Sequence, residues 1–344
     1  MSEVKRTDVN ELGEFGLIDH LTERFNNVNA STLKGVGDDA AVIDTGGDDA
    51  ILVSTDMLVE GIHFDLAYQP LKHLGYKAVI VNLSDIYAMN GHPEQITVSM
   101  ALSNRFSVEA VEEMYEGIKL ACELYGVDLV GGDTTSSNKG LILSVTAIGR
   151  AQKDKIAYRS GAKVGDVICI TGDVGASFLG LQILEREKQI YMSSPEVQPD
   201  LEDQKYLIGR HLKPEARKDV IEMFAKNKLV PTSMIDISDG VASELFHICK
   251  QSNVGAYLEE SGIPIHPDAE MQAVKFGLDP ATCALSGGED YELMFTIDPN
   301  DIDKIKYLPG IYIAGEITAK EDGVKLHTKG GNIHDLKAQG WKHF

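Results

Sequence analysis

The sequence predicts a mixed α/β protein built as two domains. Short β-branched segments alternate with helix-patterned ones, 344 residues exceed one ordinary domain, and a polar, glycine-punctuated stretch interrupts the alternation at 149–165. The expected division is 1–150 for an amino-terminal unit and 151–344 for a carboxy-terminal one.

In the first half, residues 50–55, 95–102, 127–130 and 141–148 are short and branched enough to be strands. Residues 71–89 read as a helix. A second helix follows Ser107, which can cap it; Val111, Met114, Ile118, Ala121 and Tyr125 recur at helical spacing, and Gly126 ends it. Beyond the boundary, strands are expected at 166–171, 256–259, 291–297 and 311–317, with helices at 176–187, 215–227 and 241–251. Residues 188–206 combine turn formers with acids and read as a surface excursion.

The charge balance sets 53 Asp and Glu against 32 Lys and Arg, a formal net charge of −21. That balance argues against binding nucleic acid or an anionic membrane through a basic face, which needs clustered Lys and Arg. Cys122, Cys169, Cys249 and Cys283 lie far apart, without metal-ligand spacing, and read as buried thiols of a reducing compartment. The charged start and the lack of a long apolar run make a cytoplasmic location the expectation.

The acids concentrate beside glycines and at the ends of expected strands: GVGDDAAV at 35–42, STDMLVEGIHF at 54–64, NLSD at 82–85, GGDTT at 131–135, DISDG at 236–240 and SGGEDYEL at 286–293. Carboxylates next to hydroxyls and carbonyls form the hard-oxygen surroundings that Mg²⁺ uses, and Mg²⁺ chemistry suits phosphoryl transfer. Taken singly, each motif has a plainer reading. Asp-Asp beside Gly is a common turn, Asn82 and Asp85 at i and i+3 also suit a solvated or capping pair, and His63 suits a satisfied core histidine. For GGDTT, glycines at a strand's carboxyl end admit a ligand to the backbone; for DISDG, strand alternation aims Asp236 and Ser238 to one side before a helix begins. No Walker A loop, protein-kinase motif set, HExxH or GxSxG is present.

In order and together, these segments resemble the thiamine-monophosphate kinases of the aminoimidazole-ribonucleotide synthetase superfamily. The resemblance runs from GEFGLI at 13–18 through the motifs above, with RSGAKVG at 159–165 and RHLKP at 210–214, to GWKHF at 340–344. It implies the two-domain fold of that superfamily and a homodimer whose amino-terminal sheets form a shared β-barrel. It also implies ATP as co-substrate and several Mg²⁺ ions held by Asp39, Ser54, Thr55, Asp56, Asp85, Asp133, Asp236 and Asp239, with Asp38 beside them. Gly132 and Asp133 would border the nucleotide, Arg159 and Ser238 would contact its phosphates, and His63, Glu289 and Trp341 would face thiamine phosphate. No protein nucleophile is implied. Tyr87, Asn90 and the SSNKG loop depart from the usual family pattern. A selenophosphate enzyme would carry a reactive cysteine near its start, whereas the first one here is Cys122.

On this reading, Trp341→Ala raises the KM for thiamine phosphate more than that for ATP in steady-state assays. An equal rise in both would take Trp341 out of the acceptor pocket.

Overall fold

The computed structural model describes residues 9–199 and 201–337, so Trp341 and the GWKHF tail lie outside the described residues. Six strands form the first sheet: β1 (Thr32–Lys34), β2 (Ala41–Asp44), β3 (Asp49–Val59), β4 (His92–Leu102), β5 (Asp128–Ser136) and β6 (Ile142–Gln152). Their order is β1-β2-β3-β6-β4-β5. Only β4 and β5 run parallel, because the chain between them crosses over through a helix. Seven strands form the second sheet: β7 (Val167–Thr171), β8 (Ser233–Asp236), β9 (Gly255–Glu259), β10 (Leu293–Ile297), β11 (Ile311–Thr318), β12 (Val324–His327) and β13 (Ile333–Asp335). These are ordered β13-β12-β9-β11-β7-β10-β8, with β9 and β12 the parallel pair.

The helices are α1 (Gly13–Thr22), α2 (Leu71–Ala88), α3 (Val108–Tyr125), α4 (Ala176–Ser193), α5 (Lys205–Leu212), α6 (Lys218–Asn227), α7 (Val241–Ser252), α8 (Pro267–Lys275), α9 (Pro280–Ser286) and α10 (Ile302–Ile305). Helix α3 starts and stops as its sequence dictates. The Ser107 hydroxyl accepts the Ala110 N–H at 3.3 Å, and Gly126 closes the helix at φ +73°. Asn90, just after α2, takes φ +56°, a conformation asparagine tolerates, and donates to Lys155 O at 2.9 Å.

Helix α2 positions the site. Every residue from Leu74 to Ser84 is buried, so that stretch has no solvent face; the helix packs on β3, β4, β6 and α3 and also meets β8 and α5. Its crossing with α3 is made at two glycines. A Cβ on Gly75 would lie 1.9 Å from Met114 O, and one on Gly117 1.8 Å from Lys72 O, so the two backbones touch. The apolar core joins Leu52, Ile80 and Val145 of the first half to Phe224 and Phe295 of the second, and so continues across residues 149–165.

Several elements differ from expectation. GGDTT lies inside β5, paired along β4, and does not sit at its carboxyl end. What approaches the glycine backbone is the neighbouring strand: a Cβ on Gly132 would fall 1.9 Å from Val98 O. Strand β10 begins at Leu293, after two residues of positive φ, Glu289 and Tyr291. Helix α6 begins at Lys218, because the Glu215 carboxylate accepts the hydroxyls of Tyr76 at 2.5 Å and Tyr125 at 2.8 Å. Helix α4 continues to Ser193, and α5 starts inside the expected excursion. The short strands β1, β2, β12 and β13 and the helices α8 and α9 carry too little pattern to be expected, and β8 ends at Asp236, so the strand alternation expected through DISDG does not reach Ser238.

Gly117→Ala is expected to destabilise the protein by about 3 kcal/mol, since neither backbone at the α2–α3 crossing can yield. Chemical denaturation measures this, and an unchanged midpoint would refute the close approach.

Candidate active site

Three carboxylates from separate parts of the chain converge. Asp39 from the β1–β2 connection, Asp85 of α2 and Asp236 at the end of β8 each bring an oxygen within 4.8 Å of the others. Side chains of the same elements aim them. Ser54 and Asp56 alternate onto the inner face of β3; Ser54 donates its hydroxyl to Asp85, and the Asp56 N–H donates to Asn82 Oδ1 at 2.9 Å. Ser84 donates to Asp236 at 2.6 Å. Asn82, Ser84 and Asp85 thus tie α2 to one strand of each sheet, which replaces the solvated-pair reading of NLSD. Arg159 donates twice to Asp39 Oδ1, at 3.0 and 2.6 Å, and its backbone N–H donates to Asp38 at 3.0 Å. Lys34 pairs with Asp38 at 3.2 Å.

Burial makes this cluster electrostatically uncomfortable. It pushes Asp39 up to about 6, with Arg159 opposing, and Asp236 up to about 7, with Asp39 adding to the rise. Asp85 is raised well above the carboxylate range by burial and by Asp56, Asp236 and Asp39 in turn. Burial also raises Asp56, against a hydrogen bond from Asp85. Asp39 Oδ2 is buried without a hydrogen-bond partner. An all-oxygen donor set with an orphaned carboxylate oxygen and excess negative charge fits a hard divalent cation.

The cluster forms one end of a cavity of about 660 Å³. Asp56, Asp85, Asp236, Ser238 and Asp239 line that end, and Leu58, Ile62, Phe64, Val81, Phe178 and Leu181 supply apolar wall. At the far side, Tyr68 donates to Glu185 at 2.8 Å and Lys188 pairs with Asp65 at 2.5 Å. His63 also lines the cavity, its Nδ1 accepting the Val59 N–H at 3.0 Å. Glu289 meets Lys77 at 3.0 Å and His211 at 3.2 Å. Burial alone would raise Glu289, but these two partners hold it well below the usual range, so its charge is already balanced.

The fold therefore gathers Asp39, Ser54, Asp56, Asp85, Asp236, Ser238 and Asp239, with Arg159 against Asp39 and with His63 and Glu289 along the cavity. Other expected ligands are not gathered. Alternation turns the Thr55 side chain to the opposite face of β3, where its hydroxyl donates to Val145 O at 3.1 Å, so only its backbone can serve the site. Gly132 and Asp133 are exposed on β5. In the register Met57–Ser144–Ser99–Asp133, that aspartate is three strand spacings from β3, roughly 14 Å. Lys77, His211 and Tyr291 were missed. A lysine inside the apolar run LGYKAVIV and a histidine inside RHLKP were the available signals.

Comparison with known proteins identifies the family. Residues 37–151 match the family described as AIR synthase related protein, N-terminal domain. The chain is 37% identical to the thiamine-monophosphate kinase of Bacillus subtilis (strain 168), over 97% of this chain and 100% of that one. It is 33% identical to that of Escherichia coli (strain K12), over 96% and 98%. The chain belongs to the thiamine-monophosphate kinase family. Among solved structures, AaThiL complexed with AMPPCP and TMP superposes with a TM-score of 0.84 at 33% identity over 100% of both chains. The kinase of Stenotrophomonas maltophilia K279a superposes at 0.72, with 30% identity over 93% of this chain and 97% of that one. Among the described residues of this family member, no helix is long and apolar enough to cross a membrane.

Carboxylates raised in the fold bind protons that the unfolded chain has released, so their contribution to stability is complete below about pH 4 and is lost as pH rises through about 6 to 7. A divalent cation reverses that loss. Mg²⁺ is expected to raise the melting temperature by several degrees at pH 8 and by less than half as much at pH 5. Equal shifts at both values would contradict a cation site in this cluster.

Proposed function

We propose that this chain transfers the γ-phosphoryl group of ATP to thiamine monophosphate, giving ADP and thiamine diphosphate. The observation that carries the reading is the convergence of Asp39, Asp85 and Asp236 at one end of a cavity with apolar walls, in a chain of this family. An oxygen of the acceptor phosphate attacks the γ-phosphorus while the bond to the β,γ-bridging oxygen breaks and ADP leaves. The second pKa of a phosphate monoester is about 6, so the acceptor is largely dianionic at neutral pH and needs no general base.

Two anions must approach inside an acidic site, and Coulomb repulsion grows as water leaves. Asp39, Asp56, Asp85, Asp236 and Asp239, with Ser54 and the Thr55 carbonyl, would hold Mg²⁺. When bound there, Mg²⁺ supplies the positive charge that lets the two phosphates meet. Arg159, now paired with Asp39, and Ser238 would turn to the nucleotide phosphates. The apolar walls with His63 would hold the thiamine rings and exclude water, and Trp341, which lies outside the described residues, keeps the substrate-binding role that the family resemblance implies. Because Lys77 already balances the charge of Glu289 and His211 hydrogen-bonds it, that carboxylate would orient the acceptor by hydrogen bonding more than by charge.

A homodimer suits the exposed surface of the first sheet. Strand β5 is an unpaired edge with Leu129 and Val130 exposed, and Met57 is exposed on the sheet face away from α2. On this reading residues 1–150 carry dimerisation, metal and nucleotide, and residues 151–344 complete the acceptor site. Asp133, remote from the cluster within one chain, would serve nucleotide at that dimer interface. A cytoplasmic enzyme with no nucleic-acid or membrane partner is the setting that agrees with the charge of −21.

Purified protein with Mg·ATP and thiamine monophosphate should yield thiamine diphosphate on chromatography, and no product would sink the proposal. Asp56→Asn should lower turnover more than about tenfold with the fold intact, whereas near-normal activity at ordinary Mg²⁺ would remove Asp56 from the site.

A further inference from the structure

Tyr291 has φ +52° and Glu289, two residues earlier, φ +63°. An aromatic side chain takes this conformation only where its surroundings impose it. Here they do so from several directions. The N–H of Glu289 donates to Ser238 O at 2.7 Å and that of Tyr291 to Ile237 O at 2.9 Å, which fastens the segment to DISDG. The Asp290 carboxylate between them accepts the amides of Gly175 and Ser177, at 2.6 and 3.1 Å, at the start of α4. Glu292 is gripped by Arg210 at 3.1 Å and by Arg217. Two left-handed residues flanking a fully buried aspartate therefore send residues 289 and 291 into the cavity while residue 290 points away.

The Tyr291 ring is 7% exposed, and its hydroxyl makes no hydrogen bond among the described residues. Among the described residues the cationic side chains near the carboxylate end are committed, Arg159 to Asp39, Lys34 to Asp38 and Lys77 to Glu289, and the His211 imidazole also pairs with Glu289. That pattern has a physical cause, since any cation beside an acid cluster is captured by it. Ser54 and Ser84 are captured in the same way, by Asp85 and Asp236, but the Tyr291 hydroxyl has no such partner among the described residues and remains available to an incoming oxyanion. Burial, reinforced by the charges of Glu289, Asp56, Asp236 and Asp85, keeps the phenol protonated and hence a donor.

We infer that Tyr291 is a further substrate-contacting residue, its hydroxyl donating to the phosphate of the acceptor where the carboxylate end of the cavity meets Glu289. The inference rests on the functional reading above. It explains why a strained aromatic is held at this point: the ring needs a rigid backbone to aim one O–H between groups that would repel a phosphate.

Tyr291→Phe removes that O–H and keeps the ring. Calorimetry with Mg²⁺ and a non-hydrolysable ATP analogue should show affinity for thiamine monophosphate falling about tenfold, the scale of one hydrogen bond to a charged group. Affinity for thiamine, which lacks the phosphate, should change less than about twofold, and the melting temperature should stay within about 2 °C. Equal weakening of both ligands, or of neither, overturns the inference. A wild-type protein that neither binds nor phosphorylates thiamine monophosphate overturns the functional reading and the inference with it; an active wild type with an unchanged Tyr291→Phe variant overturns the inference alone.

Discussion

Mutual repulsion among Asp39, Asp85 and Asp236 is the constraint on which the rest of the structure depends. Carboxylate oxygens within 4.8 Å of one another, largely withdrawn from water, cannot all be ionised without compensation. Among the described residues one guanidinium, that of Arg159, lies directly on the cluster; it pairs with Asp39, and its charge also lowers Asp236. Packing elsewhere must hold the other acids in place, and the site is thereby poised to gain from positive charge.

Helix α2 provides that packing. A helix buried along most of its length can carry a polar group cheaply only where a partner is ready, and four of its polar side chains have one elsewhere in the fold. Lys77 meets Glu289, Asn82 receives the Asp56 amide, Ser84 reaches Asp236, and Asp85 takes the Ser54 hydroxyl. The same bonds that satisfy the helix align the first sheet, the second sheet and the SGGEDYEL segment around one cavity. Gly75 and Gly117 let α3 press close enough to seal the opposite side.

Rigidity around SGGEDYEL follows the same logic. Asp290 caps α4, and Glu292 is bound by Arg210 and Arg217 from the segment that begins with RHLKP. That motif has no place among the expected ligands, yet it holds the loop on which Glu289 and Tyr291 stand. His211, from the same run, touches Glu289 directly. Residues remote from the substrate thus determine where the cavity's polar groups point.

Much of this was legible in the sequence. Strand and helix periodicity located β3, β4, β6, β7, α2, α3 and α7, because long patterned segments bury one face or all faces predictably. Clustered acids beside glycines and hydroxyls identified hard-oxygen chemistry, and the order of the motifs identified the family. The sequence by itself therefore determined the kind of fold and the kind of site. Tertiary structure alone decided which acids meet. Thr55 and Asp133 belong to motifs as acidic and polar as the others, but pleat alternation turns one away and three strand spacings separate the other. It also decided that Lys77 neutralises Glu289 while His211 hydrogen-bonds it, and that Tyr291 leaves the strand pattern to enter the cavity. Local pattern reports which face a residue prefers; distances between residues hundreds of positions apart depend on how sheets and helices pack.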